Sequence, residues 1–119
     1  NPLLAEGQVH GGVVQGLGQA LTEQVAFDED GQLLTATFMD YALPRAADTP
    51  MIGFTSEPVP STANLMGMKG CGEAGAIAAP PAVINAITNA VGHEDVPMPA
   101  TPRAVWHAIH KAKTPMAAE

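Results

Sequence analysis

One carboxylate stands in a glycine-rich run with almost no other polarity: Met68-Lys69-Gly70-Cys71-Gly72-Glu73-Ala74-Gly75. Glycines let a backbone turn sharply and let another group come close. Small apolar neighbours disfavour the charged form of a carboxylate, which is what a general base working near neutral pH requires. Ala74, Ala76 and Ile77 supply such neighbours, so Glu73 is the candidate base. A solvated surface loop is the alternative. Lys69 is expected to point away from Glu73 or toward an anionic cofactor group. Cys71 has no His–Asp pair visibly placed to activate it as a nucleophile.

A second candidate surface lies upstream. Between Leu4 and Gln24, Val9, Val13, Leu17, Ala20 and Leu21 recur at helical spacing and form one apolar face. Gln8, Gly12, Gln15 and Gln19 share the opposite arc, flanked by Gly11, Gly16 and Gly18. A glycine inside a helix costs roughly 1 kcal/mol relative to alanine, so several together need a return. One return is a ligand lying against an amide-rich face that both donates and accepts. The other is tight packing against a second helix. His10 falls on the apolar side and reads as a satisfied core histidine. His93, His107 and His110 share no spacing with a carboxylate that would suggest zinc. The Asp28–Asp30 cluster reads as a solvated turn, not a calcium loop. Tyr41 and Trp106 read as packing residues.

The remaining elements follow from local signals. Gln24–Phe27 and Gln32–Phe38 flank an Asp/Gly turn and predict a β-hairpin. Met51–Glu57 reads as another strand. Ser61–Gly75 is a long aperiodic segment, a frequent form for functional loops. A helix is predicted from Pro80 to Val91, closed by Gly92, and a last one from Thr101-Pro102. The expected class is α+β: three helices with a few short strands. Residues 113–119 read as a frayed tail.

Composition narrows the function. Of 119 residues, 46% are hydrophobic and only 14% charged, against about 25% charged in an ordinary soluble domain. Surface is therefore expected to rest on a partner. The net charge of −7 with five Lys+Arg argues against nucleic acid and against anionic membranes. No run reaches the roughly 18 apolar residues of a membrane span. A single cysteine excludes an internal disulfide and a self-contained cysteine-based zinc site. The opening Asn1 suggests a piece of a longer chain, and the absent basic leader suggests a cytoplasmic location, with a periplasmic one left open.

Read together, three motifs resemble a known family. Gly7-Gln8-Val9-His10-Gly11-Gly12-Val13-Val14-Gln15-Gly16-Leu17-Gly18, then Met39-Asp40-Tyr41-Ala42-Leu43-Pro44, then Lys69-Gly70-Cys71-Gly72-Glu73-Ala74-Gly75 occur in order. This order is similar to the C-terminal end of the large, molybdopterin-binding subunit of the molybdenum hydroxylases. That family includes xanthine dehydrogenase, aldehyde oxidoreductases and aerobic carbon monoxide dehydrogenases. The similarity runs from Asn1-Pro2 to Thr101-Pro102-Arg103-Ala104-Val105-Trp106, so residues 1–119 would form the C-terminal piece of a molybdopterin-binding domain.

The resemblance implies roles. Glu73 would be the active-site glutamate, a general base toward a metal-bound hydroxide or water. Gln8 would hydrogen-bond the pterin, with Gly11, Gly12, Lys69, Gly70, Cys71 and Gly72 around the cofactor. No residue of this chain would bind the metal, which the cofactor's dithiolene holds. The cofactor would be molybdopterin or its cytosine dinucleotide form. Iron–sulfur clusters and FAD would sit only on partner domains or subunits. Partners would be the remainder of the large subunit, an iron–sulfur subunit and a flavin subunit. The expected reaction is hydroxylation of an aldehyde or N-heterocycle with oxygen from water, and the piece alone would be inactive. The alternatives are a carbon monoxide dehydrogenase branch, a split subunit, or a non-catalytic interaction module.

Overall fold

The computed structural model describes residues 1–92 and 95–113. His93 and most of the expected tail lie outside them. Three helices carry the structure: α1 (Pro2–Leu21), α2 (Ala74–Val91) and α3 (Pro102–Lys113). A long connection with one 3-10 turn at Ala46–Asp48 joins α1 to α2.

Helix α1 begins at the first opportunity. The Asn1 side chain accepts from Leu3 N–H at 3.1 Å, and Pro2 occupies the first helical position, where a missing N–H costs nothing. Its C-terminus is tied to the connection, because Thr22 Oγ1 donates to the Ala42 carbonyl at 2.8 Å. Helix α3 starts as its cap predicts, with Ala104 N–H donating to Thr101 Oγ1 at 3.3 Å. Ala100 N–H donates to the Ala20 carbonyl at 2.6 Å and fixes the entry of α3 against the end of α1.

Helix α2 corrects the expected start at Pro80. It begins at Ala74 and carries Pro80 and Pro81 in its interior. Each proline removes one backbone hydrogen bond from the helical ladder. Gly92, at φ 72° and ψ 26°, ends the helix in the left-handed region, and its N–H donates to the Thr88 carbonyl. Starting earlier makes α2 an 18-residue helix of mean hydropathy 1.3, long and apolar enough to cross a membrane by length and composition alone. That overturns the expectation that no run is long enough. Its Gly75 and Ala79 pack on α1, while most of its apolar surface stays open, with 11% of the span buried.

The α+β expectation is also corrected. The described residues hold no sheet, and the hairpin shrinks to one antiparallel bridge between Phe27 and Leu33. The turn itself forms: Asp28 Oδ1 accepts from the N–H groups of Asp30 and Gln32, and Gly31 takes φ 80°. The ladder then stops, because Ala26 N–H donates to Thr35 Oγ1 and not to a backbone carbonyl. A two-stranded ribbon is marginal by itself. Met51–Glu57 forms no strand either, since no neighbouring edge within the described residues offers it a ladder.

The buried hydrophobic residues are all alanines: Ala20, Ala79, Ala100 and Ala108. Large apolar side chains such as Phe38, Met39, Met51, Leu65 and Met66 are exposed. The accessible surface is 9344 Å², where a compact 12.2 kDa monomer exposes about 6,100 Å². The low charge and the open shape agree: this chain carries surface meant to be covered.

Candidate functional site

The crossing of α1 over the start of α2 creates the site. Gly12 and Gly75 are both buried there. A Cβ on Gly12 would lie 3.0 Å from Gly75 Cα, and one on Gly75 would lie 2.6 Å from Val13 N and press on the Val9 carbonyl. One turn further along, a Cβ on Gly16 would meet Ala79 Cβ at 2.7 Å and Pro80 Cδ at 2.9 Å. Two pairs of small residues at helical spacing, Gly12/Gly16 and Gly75/Ala79, thus bring the helix backbones together. Helix packing accounts for Gly12 and Gly16, and the matching Gly75/Ala79 spacing was the available signal in the sequence. Gly18 meets Pro44 in the connection instead.

This crossing holds the glycine loop against the N-terminal half of α1. Gln8 Nε2 donates to the Gly72 carbonyl at 3.2 Å, joining residues 64 positions apart. Glu73 follows directly and is the N-cap of α2 at φ −100° and ψ −7°. Its carbonyl accepts from the N–H groups of Ala76 and Ile77, while its carboxylate caps nothing. The side chain is exposed and has no hydrogen-bond partner among the described residues. The apolar enclosure expected from the sequence is not supplied here, because Ile77 is itself 69% exposed. Any enclosure of Glu73 must come from surface outside the described residues.

Several further features suit a bound polar group. Among the described residues, the backbone N–H groups of Lys69, Gly70, Cys71, Gly72 and Glu73 find no acceptor. Successive free N–H groups at a helix N-terminus favour anionic oxygens. A Cβ at Gly11, Gly70 or Gly72 would meet nothing within 4 Å, so these positions open outward. A carbonyl accepts only from the NH2 side of an amide, which leaves Gln8 Oε1 and one N–H facing out. Lys69 is exposed and Cys71 half-buried with a free thiol. Gln8 and the loop from Gly70 to Glu73 are therefore brought together, with Gly11 open on the same helix, while Gly12 faces α2. These donors, acceptors and side-chain-free positions fit a molybdenum–pterin group.

Comparisons with known proteins show the family. Residues 1–50 match the model of the molybdopterin cofactor-binding domain. The nicotine 6-hydroxylase large subunit of Paenarthrobacter nicotinovorans is 43% identical over 91% of this chain and 14% of its own length. The chain belongs to the molybdenum hydroxylase family, as part of the large, molybdopterin-binding subunit. Among solved structures, quinoline 2-oxidoreductase from Pseudomonas putida 86 matches 93% of this chain and 14% of its own at a TM-score of 0.85 and 40% identity. A reconstituted carbon monoxide dehydrogenase from Oligotropha carboxidovorans matches 94% and 14% at a TM-score of 0.86 and 31% identity. The chain thus spans about one seventh of the length of these molybdenum hydroxylase subunits. Membership explains the exposed apolar surface, since most of such a subunit is other chain.

His10 departs from the satisfied core histidine that was expected. Its Nε2 is buried without a hydrogen-bond partner among the described residues, 4.0 Å from Glu6 Oε1, and its ring lies edge-on to Phe54. Among the described residues, no group of three or more His, Cys, Asp or Glu side chains could hold a metal.

Proposed function

We propose that this chain supplies the general base and one wall of the pterin site in a molybdenum hydroxylase acting on an N-heterocycle. The single observation that carries the reading is the Gln8–Gly72 hydrogen bond, which unites the amide helix and the Glu73 loop. The molybdenum–pterin group would supply the two-electron oxidant and the site at which water is activated. Glu73 accepts the proton released as oxygen is transferred to carbon, a role commonly worth about 10²–10⁴-fold. Its carboxylate suits the task because, among the described residues, no cap or ion pair occupies it. Gln8 Oε1 would accept from a cofactor N–H, and the free N–H groups from Lys69 to Glu73 would donate to its oxygens. Gly11, Gly70 and Gly72 let the cofactor approach the backbone.

The N-heterocycle reading draws on the names of two similar relatives. The relatives named for nicotine and quinoline are 43% and 40% identical, a narrow margin over the 37% of the carbon monoxide dehydrogenase large chain of Hydrogenophaga pseudoflava. A ring carbon beside nitrogen is electron-poor and open to attack by an activated oxygen. An aldehyde carbonyl carbon is the second substrate class of the same chemistry. The remainder of the large subunit encloses Glu73, and an iron–sulfur subunit and a flavin subunit carry electrons away. By itself the piece lacks the metal's other surroundings and does not turn over substrate. The test is Glu73→Gln in the full-length subunit assembled with its partners. Turnover should fall at least a hundredfold with molybdenum retained; near-normal turnover would refute the assignment.

A further inference from the structure

We infer that Gln8 is a positioning residue for Glu73, acting through the Gly72 carbonyl, in addition to any contact with the cofactor. The inference rests on the assignment of Glu73 as the base. Three observations carry it. The Gln8 amide donates at 3.2 Å to the carbonyl of the peptide that enters Glu73. Gly72 bears no side chain and meets nothing within 4 Å of where one would be, so it has no packing to hold it. Glu73 makes no side-chain capping bond, so nothing in its own side chain fixes the torsions that aim the carboxylate.

The loop before α2 is otherwise loosely held. Its preceding turn is organised around Asn64, whose side chain donates to the Met68 carbonyl and accepts from Met68 N–H, both at 2.9 Å. After α2 begins, Gly75 is clamped by the Val9–Val13 backbone. Between those anchors, from Lys69 to Gly72, the carbonyl of Cys71 accepts within the loop itself, from Ala74 N–H. The Gln8–Gly72 bond alone ties that stretch to another element among the described residues. Gln8 thus links the orientation of the base to a helix that also faces the cofactor. A catalytic group displaced by about 1 Å can lose on the order of a hundredfold in rate.

The decisive experiment is a double-mutant cycle in the assembled holoenzyme. Gln8→Glu removes the donor to Gly72 and keeps an acceptor toward the cofactor; Gln8→Met keeps the side-chain length, removes both, and serves if the glutamate variant fails to assemble. Expected results are full molybdenum content, a kcat lowered about ten- to a hundredfold with KM within twofold, and faster amide exchange in the first turn of α2. In a Glu73→Gln background the same change should cost nothing further, because the base it positions is gone. Multiplicative losses in the double variant, or a rate loss that tracks lost molybdenum, would overturn the inference and leave the assignment of Glu73 standing. Normal turnover by Glu73→Gln alone would instead remove the assignment on which it rests.

Discussion

Gly12 of α1 and Gly75 of α2 meet backbone to backbone, with a Cβ on Gly12 landing 3.0 Å from Gly75 Cα. This contact sets how far the Glu73 loop stands from Gln8, because Gly75 is two residues beyond Glu73 and Gly12 one helical turn beyond Gln8. The two glycines set that spacing by backbone contact.

Gly75→Ala should therefore be severe and Gly11→Ala mild toward the fold. At Gly75 the new Cβ meets backbone atoms that cannot rotate away, and overpacking of this kind commonly costs about 1–3 kcal/mol. A lower melting temperature of the assembled complex and faster proteolysis between α1 and α2 would report it. At Gly11 a Cβ meets nothing within 4 Å, and alanine is better by roughly 1 kcal/mol in a helix. The melting temperature should hold or rise while cofactor content falls, since the proposed cofactor wall includes Gly11. Full cofactor content in Gly11→Ala would remove it from that wall.

Tyr41 offers a pH test of the connection after α1. Partial burial, then the charge of Glu23 and a hydrogen bond to it, raise the phenol above its ordinary 10.0. A raised phenol favours the folded state below its unfolded value, and that contribution is lost as pH climbs through the folded value. Stability should therefore fall in the alkaline range above 10.0. The chain has one tyrosine, so its tyrosinate absorbance reads this group alone. Glu23→Gln should lower the midpoint; an unchanged midpoint would contradict the contact.

The 119-residue chain made alone should self-associate. Its exposed apolar side chains include Leu65, Met66, Met51 and Met39, and its core is built from alanines. Light scattering should show oligomers at micromolar concentration, with no substrate turnover. A stable monomer would mean that the exposed surface is not built for a partner.

The sequence made some of this structure legible through local chemistry. Thr101-Pro102 and Gly92 mark helix ends by capping physics that acts within a few residues. Pro80 and Pro81 are ordinary in a first turn, so local signals place the start of α2 too late, whereas here Gly16 of α1 packs against Ala79 and Pro80 inside the helix. The missing hairpin ladder depends on Thr35 capturing Ala26 N–H, a competition that alternating hydrophobicity does not reveal. Glu73 stood out in sequence for its apolar neighbours, yet the helix that begins after it points Ile77 outward and leaves the carboxylate exposed. Gln8 was legible as an amide beside glycines; its bond to Gly72 needed the fold.

The central claim is that Glu73 is the base for oxygen transfer. It is tested most directly by mixing assembled Glu73→Gln holoenzyme anaerobically with an N-heterocyclic substrate and following single-turnover reduction of its redox centres. With molybdenum content equal to the unaltered enzyme, reduction by substrate should slow by about 10²–10⁴-fold, while reduction by dithionite stays unchanged. Reduction by substrate at the unaltered rate would contradict the account.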